Sequence, residues 1–297
     1  MTTVKYTNRI WLIGEDISMI TRRHFSTLLG ITVVGASTGL GALKASAQAT
    51  TSLERVKASG VLAIGAIADG APYYQKSLTG GPWRGFYIDI CQKLADDLGI
   101  KLSILETTWG NSVLDLQAGK INVFFGLNPT PERQKVIDFS VPVFKNSFTF
   151  IAKKSVKAVS WEDFDTETMR IGVDAGSSHD AAVTRLAPKA DIARLKTASD
   201  ATAALQAGRI DAQCLVMVLA LTLRSKNPAI GELIVPTPVN STTSNAGFRR
   251  EEDTSWREFV DAWVTTHREN GFIRSAIIRN MELVGVTEKD FPAGFEI

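Results

Sequence analysis

From residue 53 onward, short apolar runs alternate with stretches of helical period. Leu53 to Lys57 reads as a short helix, and Val61-Leu62-Ala63-Ile64-Gly65-Ala66 as a strand. The loop Asp69-Gly70-Ala71-Pro72-Tyr73-Tyr74 follows, then a turn around Gly80-Gly81-Pro82. Asp89, Ile90, Leu94 and Leu98 recur at the helix period and stop at Gly99. Lys101 to Leu105 predicts a strand, Val113 to Ala118 a helix, and residues 121–125 another strand. Asn146 to Ala152 alternates and carries two Phe, which predicts a long strand leaving this group.

A second group has the same rhythm. It holds a strand at 170–173, the loop Gly176-Ser177-Ser178, a helix from about His179, and a helix–strand unit over 205–219. Leu116-Gln117-Ala118-Gly119-Lys120-Ile121-Asn122-Val123 is echoed by Leu205-Gln206-Ala207-Gly208-Arg209-Ile210-Asp211-Ala212. Each is a helix end, a Gly stop, a basic residue and a strand start. The echo predicts two lobes of similar α/β design. Pro236 to Ser241 reads as a second crossing, after which 247–297 returns to the first group. There Trp256, Phe259, Val260 and Trp263 form an amphipathic stripe suited to core packing. A chain that crosses twice between lobes predicts a hinge, with a site at the carboxyl ends of the strands.

Thr130-Pro131-Glu132-Arg133 carries candidate chemistry. Thr suits an N-cap and Pro the first helical position. The first-turn amides and the helix dipole attract an anion. Arg133 adds a planar fork that can pair with both oxygens of a carboxylate. The apolar run Ile121 to Gly126 feeds this turn, so the arrangement predicts a small-acid site.

Composition narrows the classes. The chain has 297 residues, 44% of them hydrophobic, and a formal net charge of +2, enough for two cores and without a basic stripe for nucleic acid. Cys91 and Cys214 lie far apart, and only three His are present, so neither a metal site nor a cofactor is expected. Both thiols are expected free and packed. The N-terminus reads as a leader: Thr21-Arg22-Arg23-His24-Phe25 fits a twin-arginine pattern, followed by a mildly apolar run and Ala45-Ser46-Ala47. Cleavage is expected after Ala47, and translation starts at Met1 or Met19. Residues 1–47 carry +3, which leaves −1 for 48–297. The location implied is periplasmic.

In order and spacing, these motifs resemble the periplasmic solute-binding proteins of polar amino-acid ABC transporters (family 3). Leu53 to Leu62 is similar to the family's opening helix, turn and strand. Gly85-Phe86-Tyr87-Ile88-Asp89-Ile90 resembles its G-F-D-x-D segment. Trp109, Leu116 and Gly119 match a W…L…G run. Thr130 to Arg133, Asp138-Phe139-Ser140 and Pro142 match its most specific motif, and Gly176-Ser177-Ser178 its second-lobe loop. The resemblance implies an α/β, two-lobed periplasmic-binding-protein fold with a two-strand hinge, type II-like. The first lobe would span 48–152 and 241–297 and the second 153–240, with crossings near 146–152 and 236–246. It implies a monomer that binds an amino acid or related small carboxylate and partners a membrane permease.

Carried over residue by residue, Arg133 pairs with the ligand carboxylate, Thr130 caps, and Asn128 and Gly126 belong to the site. The amides of Ser177 and Ser178 complete the cage, and Trp109 lines the side-chain pocket. Tyr73 either contacts ligand or packs beneath the loop. Two positions depart from the pattern. Val216 stands where the family has the aspartate that holds the ligand ammonium. Either Asp69, Asp174 or Asp180 substitutes, or the ligand has no ammonium. Gly70 replaces a stacking aromatic, leaving Trp83 or Trp109 for that role. The fold also resembles that of periplasmic cyclohexadienyl dehydratases, which eliminate water and carbon dioxide from a cyclic carboxylate. Asp180 would then be the general acid, against its simpler reading as a first-turn residue. His179 reads as a surface helix residue.

Overall fold

A computed structural model describes residues 50–77, 80–292 and 297; the leader expected over 1–47 lies outside them. Helix α1 (Ser52–Ser59) starts at a reciprocal capping box between Thr51 and Glu54 and stops at Gly60, whose φ is 68°. Then come β1 (Val61–Ala66), α2 (Phe86–Leu98), β2 (Lys101–Glu106), α3 (Trp109–Gln117), β3 (Phe124–Leu127), α4 (Pro131–Gln134) and β4 (Ile137–Phe139). Strand β5 (Phe144–Ala152) leads to α5 (Trp161–Phe164), β6 (Arg170–Asp174), α6 (Ser178–Leu186), β7 (Asp191–Leu195), α7 (Ala198–Gln206), β8 (Ala212–Val216), α8 (Met217–Lys226) and β9 (Glu232–Ile234). Strand β10 (Ser241–Arg249), α9 (Ser255–Glu269) and α10 (Phe272–Glu282) complete the order.

Two sheets share two long strands. In the first lobe β1 pairs parallel with β2, and the bridge Ile64↔Val123 joins β1 to the chain entering β3. Strands β3 and β4 both pair antiparallel with the C-terminal half of β10. In the second lobe β6 lies parallel to β7 and β8, β8 pairs antiparallel with 148–152 of β5, and β9 takes the other edge of β5. The orders are therefore β2-β1-β3-β10-β4 and β7-β6-β8-β5-β9, the same plan twice. Between the lobes, β5 and β10 pair with each other over 144–147 and 241–244. Residues 48–297 make one compact unit.

Aromatic rings fill the first core: Tyr73, Tyr74, Phe86, Tyr87 and Phe124 are all fully buried. In the second, Phe150 stacks on Phe164 at 3.8 Å and meets Trp161 edge-on. Cys91 and Cys214 are free and buried, and burial pushes both thiols up. Trp256, Val260 and Trp263 of α9 are buried, as the stripe predicted.

Some boundaries differ from expectation. Helix α3 begins at Trp109, not Val113, because Thr108 Oγ1 accepts the Asn111 amide at 3.2 Å and caps it there. Strand β3 begins at Phe124, not Ile121; the Asn122 side chain instead accepts from the Ala63 amide at 2.7 Å. Residues 236–240 contain no strand, and β10 makes the second crossing.

Candidate functional site

The first-lobe wall comes from the segment leaving β3. Gly126 has φ 93°, and a Cβ there would meet the Tyr87 ring at 2.8 Å, so the position needs glycine. Thr130 Oγ1 accepts the Arg133 amide at 3.2 Å, and Pro131 opens α4. That cap turns Arg133 inward to 6% exposure. Its Nη1 donates to the Asn128 carbonyl at 3.2 Å, and its Nη2 to the carbonyls of Trp109 at 3.5 Å and Gly176 at 3.0 Å. Among the described residues no carboxylate forms an ion pair with Arg133. Burial pushes its pKa down to about 10, against the charges of Asp174 and Glu132. A buried cation held by neutral carbonyls keeps the capacity to pair with an anion.

The second-lobe wall begins where β6 ends at Asp174. Gly176, at φ 73°, turns the chain, and its missing Cβ lets the Gly110 backbone approach. Ser177 Oγ accepts the Asp180 amide at 3.0 Å and caps α6. Ser178 Oγ donates across the cleft to Asn128 Oδ1 at 2.7 Å. The Ser177 amide, expected to face an anion, donates to the Asp174 carbonyl at 3.2 Å. The first helical amides, at Ser178 and His179, have no acceptor within their own helix.

Arg133, Asn128, Gly126 and Trp109 meet Ser177, Ser178 and Val216 around one cavity between the lobes, with Tyr73 beside them. Its volume is about 10 Å³, room for about one water. Tyr73 also packs at 4.9 Å from Phe86 and accepts from Asn146 Nδ2 at 2.7 Å, so it both lines and supports. Thr130 acts from behind, as the cap of Arg133. A second cavity of about 260 Å³ adjoins the first through Trp109 and Leu219, between the Asp69–Ala71 loop and the Leu215, Leu219 and Leu223 side chains. Gly70 lies on its rim, where an aromatic ring would narrow it.

Three acids read from the sequence have different fates. Asp69 Oδ2 accepts the Ser199 amide at 3.1 Å, in the first turn of α7, and so joins loop to second lobe at the rim. Asp180 gives Oδ2 to the Gly176 amide at 3.0 Å and Oδ1 to Arg194 Nε at 2.9 Å, so it shapes the glycine loop. Asp174 is 3% exposed, with Oδ1 against His179 Nε2. His179 is not a surface residue: it is 2% exposed and lines the cavity, and its Nδ1 has no partner among the described residues. The sequence signal for this pair was an acid and a His five residues apart across the glycine turn. Helical periodicity does not register such a pair, because Asp174 belongs to a strand.

Two α/β lobes on paired crossing strands, with a buried cation between them, define a two-lobed solute-binding protein. Over residues 62–279 the chain matches the bacterial extracellular solute-binding proteins, family 3, and it belongs to that family. It is 27% identical over 238 residues to a cyclohexadienyl dehydratase of Pseudomonas aeruginosa, covering 77% of this chain and 86% of that one. It is 28% identical over 210 residues to a glutamine-binding protein of Geobacillus stearothermophilus, covering 68% and 80%. Among solved structures it is similar to an amino acid ABC transporter substrate-binding protein of Streptococcus pneumoniae bound to L-arginine. That likeness has a TM-score of 0.69 at 28% identity, over 78% of this chain and 98% of the other. An ancestral amino acid-binding protein, a precursor of cyclohexadienyl dehydratase, gives 0.70 at 26% identity, over 78% and 100%.

Proposed function

We propose that this chain is the periplasmic substrate-binding component of an ABC transporter. It takes an amino acid or a related small carboxylate between its lobes and presents it to a membrane permease. The observation that carries this reading is Arg133: buried, charged, and held by carbonyl oxygens of both lobes. A ligand carboxylate exchanges the Gly176 and Trp109 carbonyls for a bidentate ion pair and gains the first-turn amides of α6. The rest of the ligand extends past Trp109 into the larger cavity, where Leu219 and Leu223 offer apolar surface. Binding by both walls favours the closed arrangement over the open one, which is how such a hinge signals occupancy. The protein is exported by the twin-arginine route and acts as a monomer.

The test is Arg133→Ala, followed by calorimetry with the twenty L-amino acids. Loss of a buried charge partner weakens binding by about 2 kcal/mol or more, a factor of about 30. Thermal unfolding of the unliganded variant stays cooperative. A variant that binds like the parent refutes the reading.

The likeness to the Pseudomonas dehydratase favours a second reading, an enzyme that eliminates water and carbon dioxide from a cyclic carboxylate. Asp180 is badly placed as its general acid, because both oxygens already accept hydrogen bonds, from the Gly176 amide and from Arg194, and it does not line the small cavity. Prephenate incubated with the protein is expected to persist, followed by its absorbance; its loss would move the assignment to the enzyme.

A further inference from the structure

The cleft holds two opposite charges, and a ligand carboxylate answers only one of them. Arg133 faces the cavity, and the Asp174 charge acts on it, yet the two form no ion pair. Once a carboxylate occupies Arg133, Asp174 keeps a buried negative charge whose contact is the His179 ring. A carboxylate only accepts, so His179 Nε2 carries the hydrogen of that contact. With that hydrogen on Nε2, the uncharged form of the ring presents a lone pair at Nδ1. Nδ1 belongs to a cavity-lining residue, is buried, and has no partner among the described residues. The side chain of Val216, on the same cavity, offers no polar atom.

We infer that His179 Nδ1, backed by Asp174, receives the ammonium of the ligand, so that the substrate is an α-amino acid rather than an amine-free acid. This rests on the carboxylate reading of Arg133. With a zwitterion in place, ligand carboxylate meets Arg133 and ligand ammonium meets the His179–Asp174 pair, and the cleft is neutral. A hydroxyl could also donate to Nδ1, but only an ammonium brings a positive charge toward the Asp174 carboxylate behind the ring. His179 is therefore a specificity-determining residue. It works through a ring held in one orientation from behind, as second-layer carboxylates hold other functional imidazoles.

The experiment is calorimetry on the purified protein with the twenty L-amino acids. For each that binds, the α-hydroxy acid and des-amino acid of the same side chain follow. The amino acid is expected to bind at least about 30-fold tighter than either analogue. His179→Ala is expected to weaken the amino acid by about 10- to 150-fold and the des-amino acid by a smaller factor, so that the preference between them narrows. Adding Val216→Asp to His179→Ala restores amino-acid binding by putting a carboxylate on the same cavity, which a merely structural role for His179 does not allow. The inference is overturned if either analogue binds as tightly as the amino acid, or if His179→Ala binds the amino acid like the parent. Should His179→Ala fail to fold, the ranking of the three acids by the unmodified protein decides alone. Arg133→Ala separates the two levels: normal binding by that variant defeats the carboxylate reading itself. No heat from any acid of the three series defeats both.

Discussion

In the first lobe Gly119 ends α3 at φ 67°, with its amide on the Leu116 carbonyl and the Lys120 amide on Asp115. In the second lobe Gly208 ends α7 at φ 73°, with its amide on Leu205 and the Arg209 amide on Ala204. The backbone device is the same to within a few degrees. Three residues after each glycine a side chain reaches the first strand of its sheet: Asn122 takes the Ala63 amide, and Asp211 the Arg170 amide. Asp211 also binds the Arg170 guanidinium through both oxygens, at 2.8 and 2.7 Å, and Lys153 Nζ at 2.9 Å. Lys153 directly follows the crossing strand β5 and reaches the Gly208 carbonyl as well. A repeated turn thus fixes backbone geometry, while the residue three positions on decides whether the turn stands alone or ties down the exit from the hinge.

Substitutions break or sharpen this contrast. Asp211→Ala removes an acceptor of charge-assisted bonds and is expected to cost about 2–3 kcal/mol in urea unfolding. Asn122→Ala, measured alongside, costs about 1 kcal/mol; equal losses would refute the contrast. The same site sets an acid dependence. Hydrogen bonds from Arg170, then Lys153, hold the Asp211 carboxyl well below the usual carboxylate range. Its stabilisation is complete above the unfolded value of about 3.9 and drains away as pH falls through the lower folded value. Urea midpoints of the parent therefore drop below about pH 4, and Asp211→Asn drops less over that interval. Gly119→Ala and Gly208→Ala each cost about 1–2 kcal/mol, because alanine is strained at positive φ. Gly119→Ala is the worse of the two, since a Cβ there meets Arg249 Nη1 at 3.3 Å, whereas the nearest atom at Gly208 is Lys153 Nζ at 3.9 Å. Smallest is Asn122→Asp, within about 0.5 kcal/mol, because the new carboxylate accepts the same Ala63 amide.

The contrast also marks what could be read from residues. The turn at Gly119 and its echo at Gly208 were legible because glycine stops, periodicity and strand starts are local signals. The capped start at Thr130-Pro131 was legible for the same reason, and with it the inward Arg133. Positions set by distant partners were not. Asp69 looked available to a ligand, yet it binds the Ser199 amide across the cleft, 130 residues away. Asp180 invited a catalytic role, but Arg194 from β7 takes one of its oxygens. His179 looked exposed because a first helical turn usually is, and only the end of β6 brings Asp174 against it. The start of α3 was missed by four residues, because the pattern of apolar positions outweighed the capping threonine before Trp109.

The bonds from Arg133 to Gly176 and from Ser178 to Asn128 have a consequence for affinity. Both join the two lobes through groups that the proposed ligand carboxylate would engage or displace. Each molecule latched in this way is withdrawn from the receptive population. If nine in ten are latched, the apparent dissociation constant rises about tenfold over that of the receptive form. Small changes in latch strength would then retune the apparent affinity while leaving every contact to a bound solute as it was.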